Sequence, residues 1–325
     1  MYKKIKLDNG LRVISHSMPK RNSVAVGIWI KVGGRDESEE HKGIAHFLEH
    51  LVFKGSKKYS CRKLKESIEG VGGSLNGFTS EEMTCYLTKL PKRHLDLGLE
   101  ILSDMAMNPR LLQEEIDKER AVILEEIKMY KDLPQSYVHE LLDELLWPKH
   151  TLGMPIAGTA ESVSNINREE MTSFHRKYYT FSNMVVSLAG NLEYDKIIKK
   201  VRNIFSGAES KFIEASSDVK EEQKLAQFKL LAKDTEQTHL SLGFHAFKRD
   251  HPLRHAMGLL HVILGGNMSS RMFNELREKR GLAYEIGTNV KRFRDTGAFI
   301  VHAGIDNRKV QEAVGLILKE LEKIK

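Results

Sequence analysis

His46, Glu49 and His50 are three side chains that are costly to bury, yet they sit in the apolar stretch GIAHFLEHLVFKGS, residues 43–56. At about 100° per residue, Ile44, Phe47, Leu48, Leu51 and Val52 cover most of a helix's circumference. Such a helix is expected to be buried nearly all round. His46, Glu49 and His50 fall at i, i+3 and i+4 and share one arc of about 100°. Two histidines at that spacing can each turn a ring nitrogen toward one ion. A glutamate beside them can take a proton from water. The order H-x-x-E-H is an inverted form of a zinc-hydrolase signature. The expectation is one zinc ion per chain, with His46 and His50 as ligands and Glu49 as the base.

A catalytic zinc takes three protein ligands and keeps a fourth position open. The acidic candidates for the third cluster in EEIDKERAVILEEIKMY, residues 114–130. On the helical wheel Ile116, Ile123, Ile127 and Tyr130 define the buried face. Glu119 and Glu126, seven apart, share its margin, and Glu125 lies about 100° further toward solvent. Glu126 is therefore the expected third ligand. Glu119 is placed to orient a histidine or Glu126 from behind. His41 is an alternative ligand but precedes the helix. His245, His251, His255 and His261 show no comparable motif and read as surface or core residues.

The elements that must position these residues follow in order. VAVGIWIKVG, residues 24–33, reads as a buried strand, and the helix with the histidines follows from about Gly43. A glycine-ended helix (CRKLKESIEGVG) and two short strands (within GGSLNGFTSEEMTCYLTKLP) come next. A long amphipathic helix then stops at Asn108-Pro109. Further helices, a strand in MVVSLAGN and a helix to about Phe205 complete a first domain, residues 1–207. Residues 208–227 are polar and aperiodic and read as a linker.

After it the order of elements starts again. THLSLGFHAF takes the part of the first buried strand, LRHAMGLLHVIL that of the histidine helix, and MFNELREKRG that of the glycine-ended helix. TGAFIVHAGI and the helix after it match MTCYLTKLP and its long helix. The expected fold is α+β, with two duplicated domains, each a mixed, mainly antiparallel sheet packed with helices. The second domain, 228–325, lacks counterparts to residues from about 110 to 205 and reads as incomplete.

A chain of 325 residues has room for two such cores. The net charge of +7 is spread among interleaved acids, as in Lys118-Glu119-Arg120, and no basic block alternates with aromatics. That pattern argues against a nucleic-acid binder. Only two cysteines, Cys61 and Cys85, suit a reducing compartment. MYKKIKLDNGLRVIS has no apolar signal core, and no apolar run reaches about 18 residues. A cytoplasmic location without a membrane span is expected.

Four stretches, GIAHFLEHLVFKGS, GGSLNGFTSEEMTCY, ERAVILEEI and LGGNMSSRMFNELREKRGLAY, resemble the inverted-motif zinc peptidases. That family includes pitrilysin, insulin-degrading enzyme and the mitochondrial processing peptidase, and the short bacterial members are most similar. The resemblance implies a third ligand seven residues after the Glu of an E-R-x-V segment, and 119 + 7 gives Glu126. It implies two similar domains facing each other across a chamber, with an extended peptide adding itself to an edge strand. Gly73, Ser74, Leu75 and Asn76 match that strand, with Asn76 as a backbone clamp. Arg277 and Tyr284 match an Arg and a Tyr, seven apart, that lie near the substrate carbonyl in the family. The two acidic positions that read arginine in mitochondrial presequences are Ser136 and Glu140 here, only the second of them acidic, so presequence cleavage is not implied.

The function expected is a zinc-dependent endopeptidase acting on extended or unfolded peptides, as a homodimer or paired with a related subunit. The alternative is a non-catalytic, peptide-binding or chaperone-like subunit of the same fold. Retention of every metal residue weighs against it.

Overall fold

Val24, Val26, Ile28 and Ile30 alternate along the chain, and a strand places all four on one face. In the computed structural model they are fully buried there. The structure describes residues 2–207, 213 and 216–324. It forms two compact units, Met1–Ile127 with Pro155–Ser216 and Lys128–Met154 with Ser217–Lys325.

The first unit is built on β1 (Lys3–Lys6), β2 (Arg12–Ser17), β3 (Ser23–Ile30), α1 (Ile44–Val52), α2 (Cys61–Glu69), β4 (Ser74–Thr79), β5 (Thr84–Pro91), α3 (Leu95–Met107) and α4 (Gln113–Asp132). The chain then leaves for α5 (Pro134–Leu146), which belongs to the second unit, and returns with α6 (Ala160–Asn165), α7 (Arg168–Tyr178), β6 (Met184–Gly190) and α8 (Tyr194–Ile204). The six strands form one sheet in the order β1-β2-β6-β3-β5-β4. Only the β2–β6 pair is parallel, and the other pairings are antiparallel. Strand β4 has β5 on one side and forms the edge of the sheet. Residues Leu99, Leu102, Met105 and Ala106 of α3 join the strands in a single core with Phe47, Leu48, Leu51 and Val52 of α1.

Helix α1 is apolar nearly all round, as its sequence requires, and that leaves its first N–H groups inside the protein. Glu37 answers them. Its Oε2 accepts the N–H of Gly43 at 3.1 Å and its Oε1 that of Ala45 at 2.8 Å. The Nζ of Lys42 lies 3.1 Å from Glu37 Oε2 and donates to Gly34 O at 2.6 Å. Both side chains are withdrawn from water, at 0% and 1% exposed. Burial pushes the Glu37 carboxyl up from its ordinary range, opposed by the Lys42 ammonium and the two backbone donors. Gly43 turns the chain into α1 at φ +94°. A side chain there would also collide with Ala157 O, 2.6 Å from an ideal Cβ.

The second unit holds β7 (Gln237–Ala246), α9 (Arg254–Leu264), β8 (Ala283–Arg292), β9 (Gly297–Asp306) and α10 (Val310–Glu322). Its sheet runs β7-β9-β8, all antiparallel, which repeats the order β3-β5-β4. A π-helical segment, Phe273–Glu278, stands in the place of α2. Phe299, Val301 and Ile305 of β9 meet Leu264, Leu276 and Ile317 on one face. Ala298 and Ile300 point to the other face and pack with Leu142, Leu146 and Trp147. Helix α5 covers that face, so residues 128–154 pack with the second unit although the sequence reading left them in domain 1–207. A strand with apolar residues on both sides needs two cover layers, and the second is drawn from earlier in the chain.

Two further expectations are corrected. Ile116, Ile123 and Ile127 are buried, but Tyr130 is exposed, because the packing that buries α4 in the first unit ends with Ile127. Part of the expected linker is tied down. Val219 N–H donates to Asp295 at 2.8 Å, Arg294 pairs with Asp218 at 3.0 Å, and Val219 packs against the Trp147 cluster. Residues 208–212 and 214–215 of that linker lie outside the described residues.

Removing Lys42 strands the Glu37 charge in the core. Lys42→Met is expected to cost about 3–5 kcal/mol, a thermal midpoint lower by roughly 6–20 °C. The double variant Glu37→Gln/Lys42→Met should regain part of the loss. Equal melting of wild type and Lys42→Met would show that the pair carries no such burden.

Candidate metal centre

The polar stripe of α1 faces α4. Nε2 of His46 lies 3.8 Å from Glu126 Oε1, and Nε2 of His50 lies 3.8 Å from Glu126 Oε2. One ligand atom from each of the three residues falls within 4.8 Å of the other two. Donors held about 2.0–2.1 Å from one tetrahedral ion sit about 3.4 Å apart, so the two 3.8 Å pairs lie close to that spacing and the set as a whole, within 4.8 Å, would contract around a zinc ion. The same atoms are too far apart for hydrogen bonds to each other. Burial, with the neighbouring His50, lowers the His46 pKa to about 4, which keeps that imidazole neutral and able to ligate. These residues therefore fit a zinc ion.

The tautomer of His50 is fixed by its partner. Its Nδ1 is 3.0 Å from Glu119 Oε2, and a carboxylate can only accept, so Nδ1–H donates and Nε2 keeps its lone pair for a metal. The other oxygen of Glu119 is paired with Lys54. Helix α4 is held in place by Arg120, whose Nη2 donates to Ile166 O at 2.8 Å and whose guanidinium lies 5.4 Å from the Phe47 ring centre on α1. Among the described residues this is the single group of three or more His, Cys, Asp or Glu side chains close enough to hold a metal. His41 stands outside it, paired with Glu170 at 3.1 Å and Ser38 at 2.9 Å.

Glu49 is buried beside the cluster without belonging to it. Thr79 Oγ1 of β4 donates to its Oε2 at 3.0 Å. Its other oxygen rests over Gly77, where an added Cβ would lie 3.1 Å from Oε1 and 3.0 Å from the Phe53 ring. Burial pushes the Glu49 carboxyl above its usual range. The Thr79 hydrogen bond and His50 oppose the rise, and Glu126 adds to it.

The matched substrate residues lie at the sheet edge. Ser74, Leu75 and Asn76 are in β4 and Gly73 just precedes it. Asn76 Oδ1 accepts the N–H of Gly77 at 2.8 Å, which leaves one lone pair of that oxygen and both Nδ2 hydrogens for another chain. In the second unit Arg277 and Tyr284 come together, the guanidinium 5.1 Å from the Tyr284 ring centre. Tyr284 is 76% exposed. His46, His50 and Glu126, the three ligands expected from sequence, are brought together in the structure, whereas Glu37, Lys42, Lys54 and Thr79 were not among the expected residues. The signal for the first two was available, since a helix buried all round must find caps for its amides.

The profile of the insulinase family, Peptidase family M16, matches residues 12–160, and that of the M16 inactive domain matches residues 165–325. The uncharacterized zinc protease YmxG of Bacillus subtilis is 37% identical over 100% of this chain and 79% of its own length. The chain belongs to the M16 peptidase family. An uncharacterized zinc protease of Streptomyces coelicolor is 36% identical over 98% of this chain and 71% of its own. Among solved structures, a protease from Helicobacter pylori superposes with a TM-score of 0.92 at 26% identity, covering 99% of this chain and 80% of that one. An M16 inactive domain from Pseudomonas fluorescens shares the fold, with a TM-score of 0.91 at 18% identity, over 99% of this chain and 79% of its own. The two-unit α+β architecture is thus an M16 fold. No helix among the described residues is long and apolar enough to cross a membrane.

Replacing any one of His46, His50 or Glu126 by alanine is expected to abolish stoichiometric zinc, since a three-ligand site has none to spare. Glu125→Ala and His41→Ala should leave it intact. Elemental analysis of the purified variants decides, and zinc lost from Glu125→Ala but kept by Glu126→Ala would reassign the third ligand.

Proposed function

We propose that this M16 chain is a zinc-dependent endopeptidase acting on extended or unfolded peptides. One observation carries the reading. Three donor atoms converge on a metal-sized space, and a buried carboxylate, Glu49, stands beside them with one oxygen fixed by Thr79. The names of the relatives, zinc proteases, support it.

When bound, zinc would lower the pKa of water and polarise the scissile carbonyl. His46 and His50 would hold it through Nε2 and Glu126 through its carboxylate. Glu49 accepts the proton of the attacking water at its carboxylate and returns it to the amine nitrogen as the C–N bond breaks. The raised proton affinity that burial confers on Glu49 suits both halves of that transfer. The peptide backbone pairs with the free edge of β4 along Gly73, Ser74, Leu75 and Asn76, which selects an extended segment before any side chain is read. Arg277 and Tyr284 are assigned, on the family resemblance, as donors to the developing oxyanion. A dimer with a second copy or a related subunit belongs to the same proposal.

Mapping cuts in a peptide library by mass spectrometry, with and without a chelator, tests the reading. Glu49→Gln should keep zinc and fold and lose about 10²–10⁴ in turnover, because only the proton acceptor is removed. Near-normal hydrolysis by that variant would end the role given to Glu49. Tyr284→Phe should keep zinc and lose about 10²–10³ in kcat. A kcat equal to wild type would remove Tyr284 from the mechanism. Zinc bound by the wild type with no turnover of any peptide would instead assign the non-catalytic, peptide-binding role.

A further inference from the structure

Glu119 holds two partners at once. One oxygen accepts from His50 Nδ1–H at 3.0 Å, and the other is paired with the ammonium of Lys54. The Glu119 side chain is 7% exposed and that of Lys54 is 26% exposed, so the ammonium reaches the carboxylate from the rim of the site.

Spacing explains why they meet. Lys54 N–H donates to Leu51 O at 3.0 Å, which carries the helical turn of α1 past Val52. His46, His50 and Lys54 therefore stand in one column at i, i+4 and i+8. On α4, Glu119 and Glu126 form the opposing column at i and i+7. The columns interlock: Lys54 with Glu119, His50 with Glu119 and Glu126, His46 with Glu126. The backbone after Lys54 is itself pinned. Gly55 turns at φ +126°, its carbonyl accepts Arg110 N–H at 3.1 Å, and Arg110 Nε donates to Ser56 O at 2.7 Å.

We propose that Lys54 is a positioning residue for the metal. It pins the second oxygen of Glu119, so that this carboxylate stays turned to His50 and His50 Nε2 stays turned to the ion. The inference rests on the zinc-site reading above. A carboxylate held at both oxygens has one orientation, whereas one held at a single oxygen can swing about its side-chain torsions or take up water. Such outer partners of a ligating histidine are typically worth about 10–100-fold in metal affinity.

The test is zinc affinity, measured by competition with a chromophoric chelator, with circular dichroism as the check on folding. The proteins are wild type, Lys54→Met, Lys54→Arg, Glu119→Gln and the double variant Lys54→Met/Glu119→Gln. Lys54→Met keeps the aliphatic stem and should weaken zinc by about tenfold. Lys54→Arg keeps the charge and should stay near wild type. In the Glu119→Gln background, Lys54→Met should have no further effect, because Lys54 acts through that carboxylate. Wild-type affinity in Lys54→Met overturns the proposal, and so does an equal loss with and without Glu119. Should Lys54→Met fail to fold, Lys54→Gln takes its place in the same cycle and the same two results decide. A wild-type chain that takes up no zinc fails the metal reading itself, and that result is distinct from all of these.

Discussion

Glu37 and Lys42, buried together at the head of α1, set the constraint on which the His46–His50–Glu126 cluster depends. The helix that carries His46, Glu49 and His50 has only nine residues, and seven of them are buried. Its first amides are buried, so protein groups have to satisfy them. The carboxylate of Glu37 closes the head, the Gly55–Ser56 turn fastened to Arg110 closes the tail, and Arg120 over Phe47 holds the flank. With three anchors on so short a rod, the two imidazoles have little freedom to slide or rotate. A site meant to be present before its ligand arrives needs such support from residues that never touch the ligand.

Periodicity made part of this legible from sequence. The i, i+3, i+4 stripe on α1 and the i, i+7 pair on α4 each report a face of one helix, and in the structure those two faces meet. What periodicity does not report is the partner. Thr79 looks like any threonine in a strand until β4 is known to run beside α1, and Lys54 looks like a surface lysine until α4 is opposite. The error at Tyr130 has the same root. Its wheel position matches that of Ile123 and Ile127, but the face it shares with them runs out of core after Ile127. The assignment of residues 128–154 failed because α5 is amphipathic by itself, and nothing local says which sheet it will cover.

The two units show how little of a topology is tied to chemistry. β3-β5-β4 and β7-β9-β8 are the same arrangement, each with a helix after its first strand. In the first unit that helix bears a polar stripe, and α4 supplies the answering acids. In the second, α9 bears Leu259, Val262 and Ile263 in exposed positions, and no metal-sized cluster forms among the described residues. The difference between the units lies in a few side chains and their supports, not in the strand order.

The place of β6 in the sheet bears on how the protein is made. β6 lies between β2 and β3, yet it begins at Met184, 154 positions after Ile30 closes β3 (184 − 30). A ribosome adding about 5–20 residues per second needs roughly 8–30 s to supply that stretch. Until β6 is made, neither β2 nor β3 has the strand that lies between them in the finished sheet, and the β3–β5–β4 ribbon can be complete only from Pro91, 93 positions before Met184 (184 − 91). His46, His50 and Glu126 are all made between Ile30 and Met184, before the central strand that closes the sheet, and open strand edges can pair with another chain. The first unit thus keeps open strand edges for a stretch in which His46, His50 and Glu126 are made, and a chaperone that shields strand edges would matter more to it than one that shields apolar helices.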